Sequence, residues 1–148
     1  FAQTLVDSGD PLNYAQAAAA NHPLLMFEVV GDGVVPNCAV AGNPACPAID
    51  TLPLSGYLSG SDPLARALGL EFVPGPTQGD GLDVPAAASV TGSPTGPALH
   101  AVVRFNQGDH GSILSPAANA LVTCEMQRQA AAFVATNGRV LSIAGCAP

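Results

Sequence analysis

The chain has 148 residues, 48% of them hydrophobic and 10% charged, a balance that predicts a folded, core-rich domain and excludes a disordered chain. The formal net charge is −7, and the only four basic residues besides histidine are arginines, which disfavours binding to nucleic acid phosphates. No run approaches about 18 uninterrupted apolar residues, so no membrane-spanning helix is predicted.

The first half of the chain predicts two short helices with a buried strand between them. Residues 8–21 are rich in alanine, have Ser8 or Asp10 as a cap, and end at Asn-His-Pro, which is typical of a short helix. LLMFEVV, residues 24–30, is a short apolar run of the kind that forms a strand buried on both faces. SDPLARALG, residues 61–69, predicts the second capped helix, and the following LEFV predicts a brief extended piece.

The second half predicts a long loop, a strong strand and a long helix. Residues 74–98 are rich in glycine and proline and predict an irregular loop. LHAVVRF, residues 99–105, predicts the second buried strand. Residues 115–138 predict a long amphipathic helix, with a proline near its start and a glycine past its end. RVLSI, residues 139–143, predicts a short final strand or an extended tail.

This alternation of strands and helices predicts an α/β fold with a parallel sheet. Two or three strands are few for such a sheet, because both faces must be covered and several strands are needed for stability. The pattern is therefore typical of the last strands and flanking helices of a larger sheet, incomplete by itself.

Four cysteines, at positions 38, 46, 124 and 146, favour disulfides and an oxidising compartment. No Cys-x-x-Cys pair and no histidine at ligand spacing accompanies them, so they do not favour a zinc site. Three pairings are open, of which we favour Cys38–Cys46, closing a loop, and Cys124–Cys146, joining the tail to the long helix. The alternative is four reduced, buried thiols.

A carboxylate and an imidazole follow the two strongest strands. Asp32 follows LLMFEVV after one glycine, and His110 follows LHAVVRF after four residues. Because ligand sites of open α/β sheets lie beyond the carboxyl ends of the strands, Asp32 and His110 are candidate acid and base of one site. The alternative is that Asp32 only ends a strand and His110 is a solvated loop residue.

Other ionisable residues fit less well. Asp109 is an alternative acid, but its side chain is expected to point away from that of the adjacent base and to brace the turn. His22 and His100 are expected to be structural or exposed. Asp80 and Asp83 could contribute to a calcium site, although two carboxylates supply too few oxygen ligands.

Two motifs resemble those of a known superfamily. VVGDGVVPN, residues 29–37, resembles the acid turn of α/β-hydrolase lipases, and NQGDHGSIL, residues 106–114, resembles their histidine turn. The segments FAQTLVDSGDPLNYA, SGSDPLARALGL and SPAAN look like the C-terminal part of large extracellular bacterial lipases. The resemblance implies a secreted serine ester hydrolase, a lipase or carboxylesterase without a cofactor or metal, in which Asp32 is the triad acid and His110 the base.

The nucleophile of such a triad is missing from the sequence. A serine of this type stands in Gly-x-Ser-x-Gly between a strand and a helix. The nearest match, GPTQG at residues 75–79, has threonine at its centre and no helix pattern after it. We therefore expect residues 1–148 to be the C-terminal part of one α/β-hydrolase domain. The serine and the oxyanion hole are expected on an N-terminal part that is missing or forms a separate chain.

The expected partners are thus this N-terminal part and an ester or lipid substrate, with no nucleic acid. Contact with a membrane surface or lipid interface is compatible with the pattern, and the expected location is extracellular or on the bacterial surface. Alternative substrates make it a phospholipase or lysophospholipase, a polyester hydrolase, or a peptidase on the same fold. The alternative from another class is a non-catalytic secreted binding or structural domain.

Overall fold

The structure, a computed structural model, describes residues 11–30, 32, 34–35, 61–73, 95–143 and 145–146. A 3-10 turn, Pro11–Tyr14, precedes the first helix. The elements that follow, in chain order, are α1 (Ala15–Asn21), β1 (Leu24–Val29), α2 (Ser61–Ala67), β2 (Glu71–Phe72), β3 (His100–Phe105) and α3 (Ala120–Ala135). None of the described helices is both long enough and apolar enough to cross a bilayer.

The three strands form one parallel sheet in the order β1-β3-β2. β3 is buried along nearly its whole length because it has a neighbour on each side and a helix layer on each face. In the pairing of β1 with β3, Glu28 lies opposite Arg104 and Val29 opposite Phe105. The predicted α/β class with a parallel sheet is confirmed, and the carboxyl ends of all three strands lie at one edge.

Apolar side chains cover both faces of the sheet. On one face, buried β3 residues pack with residues of α3 and of the tail, including Val103, Phe105, Val122, Met126 and Leu141. On the other face, Val102 packs with Ala65 of α2 and with Leu70 and Phe72. Because side chains of a strand alternate between faces, the apolar residues of β3 supply both clusters.

The first and third helices differ from the predicted ones at their starts, whereas α2 begins at Ser61 as predicted and ends at Ala67 instead of residue 69. α3 begins at Ala120 rather than near residue 115, since the Asn119 side chain caps it by accepting from the backbone N–H groups of Leu121 and Val122 at 3.0 and 3.2 Å. The first helical segment ends at Asn21 as predicted, but its first turn, Pro11–Tyr14, is 3-10. Its predicted caps lie outside the described residues.

The buried side of α3 is more polar than an amphipathic pattern predicts. Glu125 and Gln129 are fully buried. The Arg128 guanidinium donates to both carboxylate oxygens of Glu125 at 2.8 and 2.7 Å, and to Ser142 Oγ at 2.8 Å. The Gln129 amide also donates to Glu125, at 2.8 Å. The buried Glu125 carboxylate needs such partners. Through the bond from Arg128 to Ser142, the network also joins α3 to the tail.

A disulfide fixes the same tail. Cys124 and Cys146 are bonded, with their Cα atoms 6.1 Å apart, so this predicted pairing is confirmed. Residues 139–143 form an extended tail, which makes one antiparallel bridge between Val140 and Thr95. The other predicted pair, Cys38–Cys46, lies outside the described residues.

Gly138, after the end of α3, offers a test of the packing between this helix and β1. Its φ is +70°, and a Cβ there would overlap the ring of Pro23. We expect Gly138→Ala to lower the free energy of unfolding by about 3 kcal/mol, from left-handed strain and steric overlap together. Gly69 follows α2 with φ +65° and open space around it, so Gly69→Ala is the matched control. It should cost only about 1 kcal/mol. If urea unfolding shows the same loss of free energy of unfolding in both variants, the steric overlap with Pro23 is contradicted.

Candidate active site

The acid candidate is held by its own turn. The Asp32 N–H donates to the carbonyl of Val29, the last residue of β1, at 3.2 Å. Its Oδ1 accepts from the backbone N–H groups of Val34 at 2.7 Å and Val35 at 3.2 Å. These bonds orient the carboxylate through Oδ1 and leave Oδ2 able to accept from another group, as expected of an Asp turn after a strand.

His110 lies at the neighbouring strand end and contacts this carboxylate. Its Nδ1 is 2.9 Å from Asp32 Oδ2, although the two residues are 78 positions apart in the chain. The contact follows from the topology, because β1 and β3 are adjacent and parallel and both turns begin at the carboxyl ends of these strands. The structure therefore brings together the two residues that the sequence singles out as acid and base.

The hydrogen bond determines how the imidazole can act. A carboxylate can only accept, so Nδ1 carries the proton and Nε2 of the neutral ring is an acceptor. Among the described residues, His110 hydrogen-bonds only to Asp32. The His110 side chain is 52% exposed, whereas that of Asp32 is 9% exposed. The arrangement is an accessible base on a shielded acid.

The environment keeps Asp32 ionised. Burial by itself would raise the pKa of this carboxyl, but the N–H groups of Val34 and Val35 and the hydrogen bond and charge of His110 outweigh it. The pKa of Asp32 is therefore lowered below its usual value. A carboxylate with a lowered pKa remains negative at neutral pH, which is the state that stabilises an imidazolium beside it.

Asp109 does not hydrogen-bond to the His110 ring but braces the histidine turn, as the sequence predicts. Its Oδ1 accepts from the Gly111 N–H at 2.9 Å and from Ser112 Oγ at 3.0 Å. Its own N–H donates to Ser112 Oγ at 2.7 Å. Ser112 is fully buried in this bracing, so it is not presented to a substrate.

Side chains of α3 and of its cap hydrogen-bond to the histidine turn. The Asn119 amide donates to Gln107 Oε1 at 2.6 Å, and the Gln127 amide donates to the carbonyl of Ile113 at 3.0 Å. Thr123 Oγ1 donates to the carbonyl of Ser115 at 2.8 Å. Three side chains from the cap and the first half of one helix thus fix both sides of His110, a support that local sequence patterns do not predict.

A cavity of about 490 Å³ lies beside the pair. Its walls include Asp32, His110, Met26, Ile113 and Met126. Ser61, the first residue of α2, also lines the cavity, a position that the sequence patterns do not single out. Ser61 is not hydrogen-bonded to His110, whose partner within the described part of the chain is Asp32.

The other two histidines lie at the opposite end of the sheet from Asp32 and His110. His100 opens β3, at the opposite end of the strand from His110, and its Nε2 is 3.1 Å from the carbonyl oxygen of His22. Both are thus part of a structural contact, as expected. Asp80, Asp83 and the threonine of GPTQG lie outside the described residues.

Gly108 sets the path of the histidine turn. Its φ is +115°, and a Cβ there would lie 2.8 Å from Ser112 Oγ and 3.3 Å from Val122 Cγ1. We expect Gly108→Ala to displace the turn and to lower roughly 100-fold any turnover that depends on the contact between His110 and Asp32, since displacements of about 1 Å have effects of this size.

Gly111→Ala is the matched control within the same turn. Gly111 does not have a positive φ, and its nearest atom would be Asp109 Oδ1 at 3.5 Å, an ordinary contact. The control should retain activity within about threefold, well inside the range of a neutral surface substitution. If steady-state kinetics show the two variants to be equal, Gly108 does not set the turn.

Comparisons with known proteins identify no relative. No protein-family model, no curated protein and no solved structure matches the chain.

Proposed function

We propose that this chain supplies the acid and the base of a Ser-His-Asp triad in a secreted serine ester hydrolase, a lipase or carboxylesterase with the α/β-hydrolase fold. The observation that carries the proposal is the 2.9 Å contact between His110 Nδ1 and Asp32 Oδ2 at the carboxyl edge of a parallel sheet. The resemblance of both turns to those of α/β-hydrolase lipases supports the same assignment.

In the proposed mechanism, His110 Nε2 takes the proton of a serine hydroxyl as the serine oxygen attacks the ester carbonyl carbon. The tetrahedral intermediate then collapses, the bond to the alcohol oxygen breaks, and His110 returns the proton to the departing alcohol. A water molecule attacks the acyl-enzyme in the same way and releases the carboxylic acid. Asp32 stays ionised and stabilises the imidazolium in both steps.

The serine and the oxyanion hole come, in this proposal, from the N-terminal part of the same hydrolase. The absence of Gly-x-Ser-x-Gly from all 148 residues supports this division. The exposure of the His110 ring supports it too, because Nε2 remains accessible to a hydroxyl from outside the described residues.

Apolar residues around the pair favour an apolar acyl group or a lipid surface as the partner. Val34 and Val35 of the acid turn are 68% and 43% exposed, and Leu114 of the histidine turn is 85% exposed. These side chains lie on the two turns that carry Asp32 and His110, so they would meet a substrate or interface that approaches Nε2.

Fluorophosphonate labelling of the native protein, with every associated polypeptide retained, tests the proposal. We expect one covalent adduct per active site on a serine outside residues 1–148, located by intact mass and peptide mapping. Labelling should be lost in His110→Ala, because the serine is then no longer activated.

Two outcomes would contradict this function. An adduct on Ser61 or another residue of this chain would place the nucleophile here. No adduct on any polypeptide of a folded, native sample would favour the non-catalytic binding or structural domain.

A further inference from the structure

Glu28 and Arg104 form a buried ion pair between the two strands that lead to Asp32 and His110. The pair lies in register between β1 and β3, and Arg104 Nε donates to Glu28 Oε2 at 2.8 Å. They are the only Asp, Glu, Lys or Arg residues of these two strands, and both side chains are buried. Because a buried ion pair adds little net stability over apolar residues of similar volume, its place between these strands indicates another role.

The apolar residues of the two strands do not select this register by themselves. In β1, Leu25 and Phe27 pack with the cluster on one face of the sheet, and Leu24 and Met26 pack with the cluster on the other. β3 also supplies apolar side chains to both clusters. A strand with one polar face resists a shift of one residue, since the shift would exchange its polar and apolar faces. Strands that are apolar on both faces lack this protection.

The ion pair does select a register. After a shift of one residue between the strands, Glu28 would lie opposite Val103 or Phe105. The alternation of side chains would then put it on the other face of the sheet from Arg104. After a shift of two residues, the two side chains would share a face but be displaced by about 6.6 Å along the strands. Either shift leaves two buried charges apart, which costs far more than the exchange of one apolar neighbour for another.

The register of the strands determines the distance between the acid and the base. Asp32 is tied to the end of β1, because its N–H donates to the Val29 carbonyl at 3.2 Å. His110 lies in the turn after β3, which the side chains of α3 and its cap hold in place. A residue of a parallel strand rises about 3.3 Å, so a shift of one residue would move the turns by more than the 2.9 Å between Asp32 Oδ2 and His110 Nδ1. The hydrogen bond would be lost.

We propose that Glu28 and Arg104 are positioning residues for the acid and the base. Their ion pair selects the register of β1 against β3, and this register holds Asp32 in hydrogen-bond contact with His110. The two residues act through the strands and not on the reacting atoms. The inference depends on the contact between Asp32 and His110 and on no particular nucleophile or substrate, so it goes beyond the proposed function.

A double variant, Glu28→Met with Arg104→Met, tests this role in the native protein with every associated polypeptide retained. A single replacement would leave one buried charge unpaired, whereas the double replacement keeps an apolar face and is expected to fold with an unfolding midpoint near that of wild type. Proton–nitrogen NMR correlation spectra of the neutral His110 ring show which nitrogen carries the proton. In wild type this is Nδ1, since Asp32 accepts from it. In the double variant we expect about half or more of the rings to carry the proton on Nε2.

The matched control is Met26→Leu with Val102→Ile. These residues also lie opposite each other in β1 and β3, on the same face as the ion pair, and their replacements conserve apolar character and approximate volume. The control should keep the proton on Nδ1. If the folded double-methionine variant keeps it there as fully as wild type and the control do, the proposal is overturned.

The reversed pair, Glu28→Arg with Arg104→Glu, is the second test. It restores opposite charges at the same two positions, so we expect the proton of the His110 ring to return to Nδ1. This variant decides the question if the double-methionine protein does not fold. A reversed pair that loses the Nδ1 proton, or that does not fold, would overturn the proposal.

Fluorophosphonate labelling separates this proposal from the proposed function. A native protein that takes no label, but in which the double-methionine replacement moves the His110 proton, would retain the positioning residues and reject the hydrolase. A native protein that takes the label, and whose double-methionine variant keeps both the labelling rate and the Nδ1 proton, would retain the hydrolase and reject the positioning residues.

Discussion

Replacing His110 by alanine is expected to lower kcat/KM of the proposed hydrolase for a soluble ester by roughly 10⁴- to 10⁶-fold. The imidazole is the described base that hydrogen-bonds to Asp32, and no other histidine lies at the carboxyl end of the sheet among the described residues. The remaining rate would come from binding and from the oxyanion hole. Initial-rate kinetics with a p-nitrophenyl ester measure the loss.

His100→Ala is the matched control for this variant. His100 lies on the same strand as the base but at its amino end, where its ring contacts the carbonyl of His22. It should lower stability slightly and leave kcat within about threefold, as substitutions outside a catalytic site do. An active His110→Ala protein with the normal midpoint of thermal unfolding would reject the base assignment.

Asp32→Asn is expected to lower kcat about 10⁴-fold with little change in the backbone of the turn. The side-chain oxygen of the variant can still accept from the N–H groups of Val34 and Val35, but its amide nitrogen would then face Nδ1 as a donor. The ring would be driven to the opposite tautomer, with the proton on Nε2, where it cannot accept from serine. Kinetics on the variant, with labelling by fluorophosphonate, measure both the rate and the activation of the nucleophile.

Asp109→Asn is the control for the loss of a carboxylate near the base. The Asp109 side chain accepts from Gly111 and Ser112 through one oxygen, Oδ1, a bond that an asparagine oxygen can keep. Its effect on kcat should be less than tenfold. Equal losses in the two variants would mean that the hydrogen bond to Nδ1 gives Asp32 no special role, and would contradict its assignment as the acid.

The lowered pKa of Asp32 also predicts how the stability effect of Asp32→Asn depends on pH. A carboxyl with a pKa lower in the folded than in the unfolded protein stabilises the fold above the unfolded value of about 4. This contribution is lost as the pH falls from there through the folded pKa. The stability difference between wild type and Asp32→Asn should therefore shrink below about pH 4. A difference that is constant across that range would contradict the proposed environment of Asp32.

Local sequence signals predict the strands well and the long helix less well. LLMFEVV and LHAVVRF predict their strands because a mostly apolar run bounded by turn residues is a local signal, even with Glu28 and Arg104 inside the two runs. Serine and proline at positions 115 and 116 predict too early a start for α3, because the Asn119 side chain provides the cap. The burial of Glu125 and Gln129 is not predicted, because the Glu125 carboxylate binds Arg128, and Arg128 meets Ser142 only in the folded chain.

The α/β class, the identities of β1 and β3, and the positions of Asp32 and His110 in the turns after them follow from the sequence alone. These features depend on runs of a few residues and on the preferences of glycine and aspartate in turns. The fold, in contrast, makes β1 and β3 neighbours in parallel register, which brings side chains 78 positions apart to 2.9 Å. The same register places Glu28 opposite Arg104, where the two side chains form a buried ion pair. Pairing between distant strands depends on the burial of whole faces, a non-local quantity that no short motif contains.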